Sequence, residues 1–299
     1  MFLKNVLRVA LACGLGACGV GGPRPALSTA QFNESGYVHH VYRYRVLRVS
    51  GADASKPLAL LGDDWELDNV YFQDGRLKHK VTDEFLTTYR FDTDGDGVTD
   101  AYENVFIYDL RFKHRKRDAL IFTRSLPISG ELRNKDLRVL AQRYFDSISG
   151  AGYEAVVLDG VEQVKEQRYA AEIVDKGPAK LAGRDAYMMT FDVANVDQVK
   201  LTPSARHTRV QVAFLRAPFN YVTSSGANAG TAFPVLLVAS YANLPDDFAT
   251  DLPEFEALLG HLQIDGRAGF QRLPVEAGKA AVAPSAPAAA VPAPVAPAP

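Results

Sequence analysis

Residues 133–149, RNKDLRVLAQRYFDSIS, decide how the rest of the chain is read. Leu137, Leu140, Ala141, Tyr144, Phe145 and Ile148 recur at helical spacing and form one apolar stripe, which Gly150 can close. The segments on either side have a different signature, runs of aromatic and β-branched residues punctuated by Gly, Asp and Pro. One clear helix set among strands predicts an α+β body.

Upstream, residues 37–127 read mainly as strands. Tyr37 to Val49 (YVHHVYRYRVLRV) nearly alternates at Tyr42, Tyr44 and Val46. Leu67–Phe72 and Arg76–His79 flank Gln73-Asp74-Gly75, a hairpin signal. Leu86–Phe91 and Asn104–Phe112 flank an acidic loop, and Ala119–Leu126 is an apolar run ending at Pro127. Downstream, strand-like runs cover Tyr153–Leu158, Tyr169–Val174, Ala186–Val193, Val210–Leu215 and Phe233–Tyr241. A second helix is expected to open on a capping box, Asp251-Leu252-Pro253-Glu254, with Phe255, Leu258, Leu259 and Leu262 on its apolar face. The change of period divides the folded body into a β-rich part, 36–127, and an α/β part, 128–272. No internal repeat of fixed period is present.

From the helix at 133–149, through the turn Lys180-Leu181-Ala182-Gly183-Arg184-Asp185-Ala186 and the strands after it, to the closing FEALLGHLQI (255–264), the chain resembles the PsbP-like α/β/α sandwich. The resemblance covers about residues 128–265 and rests on element order and the Gly-Arg-Asp-Ala turn. The fold recurs in bacterial lipoproteins and in an extrinsic subunit of photosystem II. The resemblance implies binding or assembly more often than catalysis.

Both ends stand apart from this body. Residues 1–17, MFLKNVLRVALACGLGA, carry Lys4 and Arg8 ahead of a short apolar run from Val6 to Leu15, the form of a secretory signal. Leu15-Gly16-Ala17-Cys18 then resembles the lipobox of bacterial lipoproteins. That resemblance implies cleavage before Cys18 and lipidation of its thiol and amine, palmitate among the acyl chains, which anchors the protein to a membrane. A plain cleaved signal peptide with an incidental Cys18 is the competing reading. The chain has two Cys, Cys13 and Cys18, both within this region, so cleavage and lipidation leave no thiol for a disulfide, a metal or catalysis. Gly19, where an Asp favours inner-membrane retention in enterobacterial lipoproteins, leans toward the outer membrane in an organism that has one.

Residues 18–35 read as the lipidated tether, rich in Gly, Pro, Ser and Ala. Residues 273–299, ending AAVAPSAPAAAVPAPVAPAP, have too few large apolar side chains to bury a core and read as a disordered tail. With 33 Lys and Arg against 35 Asp and Glu, the formal charge of -2 gives no basic excess for nucleic acid.

The stretch with the most chemistry is Asp92-Thr93-Asp94-Gly95-Asp96-Gly97-Val98-Thr99-Asp100-Ala101-Tyr102-Glu103. Its acids fall at positions 1, 3, 5, 9 and 12, with Gly97 at position 6, so it resembles the calcium loop of EF-hands and the DxDxDG repeats of thrombospondin-type and dockerin modules. Ca²⁺ needs about 6–8 oxygens converging on one point, and the glycine permits the sharp turn this requires. The expected ligands are the carboxylates of Asp92, Asp94 and Asp96, the Val98 carbonyl, Asp100 directly or through water, and Glu103. The flanks read as strands, not EF-hand helices, so Glu103 can point away and leave Asp100 as the last protein ligand. The competing reading is a solvated hairpin turn.

Other candidates rank below this loop. His39 and His40 are adjacent on a strand and face opposite ways, and His79, His114, His207 and His261 are scattered without metal-ligand spacing. No GxSxG, SxxK, P-loop or GxGxxG occurs. The basic run Arg111–Arg117 reads as a solvated strand end and turn before a lipid or polymer contact, and Trp65 as a core anchor. The sequence therefore predicts a lipid-anchored envelope protein that is not an enzyme, with one structural Ca²⁺ site and an envelope-protein or cell-wall partner. The alternative is an envelope hydrolase whose active site no motif reveals.

Overall fold

The computed structural model describes residues 29–33, 36–39, 44–48, 60–73, 76–82, 85–92, 96–148, 150–158, 161–196, 203–223 and 229–274. The expected signal, Cys18, most of the tether, Asp94 and the tail from residue 275 lie outside the described residues. In chain order the strands are β1 (Thr29–Asn33), β2 (Gly36–Val38), β3 (Arg45–Leu47), β4 (Trp65–Leu67), β5 (Val70–Gln73), β6 (Arg76–His79), β7 (Leu86–Phe91), β8 (Ala101–Phe106), β9 (Leu110–His114) and β10 (Leu120–Pro127). After helix α1 (Leu137–Ile148) come β11 (Gly150–Leu158), β12 (Val161–Leu181), β13 (Arg184–Val196), β14 (Pro203–Val222) and β15 (Ala232–Asn243). Helix α2 (Pro245–His261) precedes β16 (Leu262–Gln263) and β17 (Phe270–Arg272). The protein is α+β, built on antiparallel sheet with two α-helices among the described residues.

The largest sheet has nine strands in the order β11-β12-β13-β14-β15-β10-β9-β4, with β17 added beside β12. Strands from both sides of residue 127 share it, since β10 pairs with β15 from Leu120↔Ala242 to Pro127↔Val235. The boundary expected at 127/128 thus lies inside one sheet. Side chains alternate between its two faces, and each face meets one helix. Met188, Ala213, Leu215, Leu237 and Tyr241 bury against Phe248, Phe255, Leu258 and Leu259 of α2. Met189, Phe191, Val212, Phe214 and Val238 bury against Leu140, Ala141, Tyr144, Phe145 and Ile148 of α1. Each Val, Leu, Ile, Phe or Met among them contributes about 1.5–3 kcal/mol when fully buried. The period-2 alternation of the sheet and the helical stripes therefore fix an α/β/α layer order.

The α1 stripe follows the sequence spacing, and Asp136 caps the helix by accepting the Val139 N–H at 2.9 Å. The two-residue turn Ala182-Gly183 between β12 and β13 has φ of +50° and +72°, the left-handed pair that matches strand twist in a tight hairpin.

Helix α2 and the first strand also depart from expectation. Helix α2 does not open on the Asp251–Glu254 box. It begins at Pro245, where a fixed φ suits the first turn and Asp246 and Asp247 complement the helix dipole. Pro253 lies inside it, and the Asp251 carboxylate is used elsewhere, by Asn243 at 3.0 Å and by Arg117. Nor is Tyr37–Val49 one strand: β2 and β3 fold back on each other with Tyr37 opposite Val46. The stretch holds no Gly, Pro, Asn or Asp to signal a turn.

β3, β2, β1, β6 and β5 form a six-stranded sheet that β16 completes beside β3. β7 and β8 make a separate two-stranded hairpin.

Candidate functional site

The β7–β8 hairpin carries the acidic loop. Leu86↔Phe106 through Phe91↔Ala101 fix its register, and the Asp100 N–H bonds the Phe91 carbonyl at 2.8 Å, closing the loop's base. Within it, the Asp92 carboxylate accepts the Gly97 N–H at 3.0 Å and Asp96 accepts the Val98 N–H at 2.7 Å. Position 1 of the loop is thereby drawn against position 6. Gly97 has φ of +86°, a backbone conformation that glycine adopts without strain. Asp96, Val98 and Asp100 are exposed, and Asp92 is half-buried beside Gly130, where a Cβ would lie 3.2 Å from its carboxylate oxygen. Among the described residues, no three His, Cys, Asp or Glu side chains are grouped to hold a metal, Asp94 being outside that set.

Glu103 is placed differently from the other acids. It is buried on β8 and accepts a hydrogen bond from the Tyr221 hydroxyl of β14. Burial and the Glu103 charge push the Tyr221 hydroxyl far above its ordinary value. Phe91 adds a 4.8 Å ring contact to Phe233 and stacks on Tyr221 at 5.5 Å. The hairpin is thus pinned to the ends of β14 and β15 by side chains.

A second constellation was not legible as a unit. Asp109, ahead of β9, is buried and receives the Tyr44 hydroxyl at 2.6 Å and the Ser125 hydroxyl at 2.8 Å, with His39 Nε2 at 3.4 Å. Burial pushes its carboxyl up, but the His39 charge and the hydrogen bonds from His39, Tyr44 and Ser125 outweigh it and hold the carboxyl below its usual range. His79 Nε2 lies 3.3 Å from the Asp109 carbonyl, and Asn69 donates to the carbonyls of Tyr108 and Asp109 while accepting the Arg111 N–H at 2.9 Å. His39 and Tyr44 flank strands of the six-stranded sheet, Asp109 immediately precedes β9 and Ser125 lies on β10 of the nine-stranded one, so the cluster joins the two sheets. Chemically it is a carboxylate with its donors gathered round it. Ser125 bonds the carboxylate rather than a histidine, which differs from the serine–histidine contact that activates a nucleophile. The Tyr44 ring stacks on Phe219 at 6.3 Å and lines a cavity of about 460 Å³ with Arg45, Phe219, Gln263, Ile264 and Asp265.

The basic run Arg111–Arg117 is largely engaged in the body. Arg111 is buried over the rings of Phe85 and Tyr108, at 5.3 and 5.4 Å. Arg117 pairs with Asp251, and Lys116 with Asp64 at 2.8 Å. His114 Nδ1 accepts the N–H groups of Lys116 and Arg117, at 3.1 and 2.9 Å. Trp65 is buried edge-on to His114, at 5.1 Å, as a core anchor. No helix among the described residues is long and apolar enough to cross a membrane.

No family model matches the chain, and no curated protein matches it. Among solved structures it is similar to the solution structure of cyanobacterial PsbP (CyanoP) from Synechocystis sp. PCC 6803, at 11% identity, over 84% of this chain and 98% of that one, with a TM-score of 0.29.

Proposed function

We propose that the chain is a lipid-anchored protein of the bacterial envelope, acting in binding or assembly, whose hairpin loop holds one Ca²⁺ for structural purposes. The observation that carries the calcium reading is the loop 92–103 itself, with acids at positions 1, 3, 5, 9 and 12 and the first of them folded back onto the backbone of Gly97. Without a cation, the carboxylates crowded into that turn repel one another. In this reading Asp92, Asp94, Asp96, the Val98 carbonyl and Asp100 supply the ligands, and Glu103 keeps its bond to Tyr221. A single loop between strands lacks the paired helices whose opening signals, so the role is structural. Anchoring rests on the lipobox resemblance ending at Cys18, outer-membrane residence on Gly19, and the PsbP-like resemblance draws support from the layer order of one helix on each sheet face.

The test is thermal unfolding of the full chain in EDTA and then in rising Ca²⁺. A ligand that binds only the native state stabilises it by about 2.7 kcal/mol at a hundred times its Kd. The expected result is a rise of several degrees that is absent from the double variant Asp92→Ala, Asp96→Ala. An unchanged midpoint up to millimolar Ca²⁺ reduces the loop to a hairpin turn.

A further inference from the structure

Arg124 lies on β10 between two residues that face the Asp109 cluster, and its own side chain points to the opposite, α1-covered face. It is 5% exposed. A guanidinium has five N–H donors. Among the described residues, one hydrogen bond is donated, to the Tyr89 hydroxyl at 3.3 Å, and the buried Nε has no partner. Burial opposes its charge, and the phenols of Tyr89, Tyr144 and Tyr108 are the neighbours that favour it. The acids of the same neighbourhood are engaged elsewhere: Asp68 lies 3.6 Å from Arg111 Nε, and Glu103 accepts from Tyr221. Arg111 itself stands on β9 opposite Phe122, one step along the same face, so two guanidinium groups share this layer.

A buried guanidinium without an anion is a costly arrangement, and its planar fork matches the paired oxygens of a phosphate or carboxylate. Phenol hydroxyls suit the rim of such a site. Burial pushes the Tyr144 hydroxyl up to about 12, against the opposing pull of Arg124, so it stays a neutral donor. The roof over Arg124 is the β7–β8 hairpin, which carries Tyr89 and, among the described residues, forms no strand pairs with either larger sheet. Its displacement would break side-chain contacts and leave both large sheets intact.

We propose that Arg124, with the hydroxyls of Tyr89 and Tyr144, binds a small oxyanion, a phosphate or carboxylate group, in the layer between the β7–β8 hairpin and α1. The site is independent of the calcium reading, since it uses no residue of the acidic loop.

The experiment is thermal unfolding of the full chain in inorganic phosphate and, separately, in acetate, with ionic strength matched by sodium chloride. A rise of several degrees is expected in at least one anion, and the larger rise tells phosphate from carboxylate. Arg124→Met is expected to unfold no lower than the parent in chloride alone, because it removes an uncompensated charge, and to lose the rise. Tyr144→Phe, which deletes one donor and keeps the ring, weakens the anion by roughly fivefold, and it decides the matter should Arg124→Met fail to fold. No rise in either anion up to tens of millimolar, or a rise that Tyr144→Phe retains in full, overturns the proposal.

Discussion

Asp109, just ahead of β9, and Arg124, on the neighbouring β10, each put a charge out of water. Their surroundings differ in kind. The carboxylate meets hydroxyls from Tyr44 and Ser125 and the ring of His39, and even its backbone carbonyl is claimed by Asn69 and His79. The guanidinium, among the described residues, donates a hydrogen bond to one phenol. A buried charge with its hydrogen-bonding capacity filled acts as a joint, because removing it strands every donor aimed at it. A buried charge with most of its donors unfilled gains little from its own fold. It is better explained by something the fold binds.

The sharpest way to break this contrast is to delete each charge. Asp109→Ala strands two hydroxyls and a histidine between the sheets and is expected to cost about 3–5 kcal/mol in denaturant-induced unfolding. Arg124→Met, measured the same way, is expected to be neutral or to gain about 1 kcal/mol. Equal losses from both variants would mean that Arg124 is as much a structural member as Asp109, and the distinction would fall.

A smaller effect tests whether the hairpin over Arg124 is an independent unit. Tyr221→Phe removes the hydroxyl that holds Glu103 and leaves a buried carboxylate without that donor. The expected cost is about 1.5–3 kcal/mol. Its signature is local: amide exchange should quicken across β7 and β8 while β13, β14 and β15 keep their protection. Faster exchange spread evenly over the nine-stranded sheet would show that the hairpin unfolds only with the body.

How much of this the sequence disclosed follows from range. α1 was legible because a helix writes its buried face within a dozen residues, and Leu140, Ala141, Tyr144, Phe145 and Ile148 are all buried. The hairpin around the acidic loop was legible for the same reason, although the expected strand Asn104–Phe112 breaks into β8 and β9 on either side of Ile107–Asp109. The start of α2 lies before the Asp251–Glu254 box because Pro245, beyond the strand-like run Phe233–Tyr241, opens the helix. The histidines looked scattered because His39, His79 and Asp109 are brought together only by strand register across two sheets. Arg124 gave no signal at all. A lone arginine in LIFTRSLP reads as the solvent-facing member of an alternating strand, and what buries it is α1 and a hairpin encoded elsewhere.

The gentlest perturbation is pH, and its sign follows from two groups. Burial pulls the His114 ring below its ordinary 6.5, and the donors around Asp109 hold that carboxyl below its ordinary 3.8. In both cases the folded value lies under the unfolded one, so the unfolded chain takes up more protons across the interval between them. Stability from these groups is therefore complete above the unfolded value and is lost as pH falls through the folded one. Denaturant midpoints should be flat from about pH 8 to about pH 6.5, decline modestly below that as His114 comes into play, and fall again below about pH 3.8 as Asp109 does. His114→Gln cannot titrate, so it should flatten the upper decline and leave the lower one. An upper decline that survives in His114→Gln would assign it to another group, and the neutral ring accepting the Lys116 and Arg117 amides would not be what pH disturbs first.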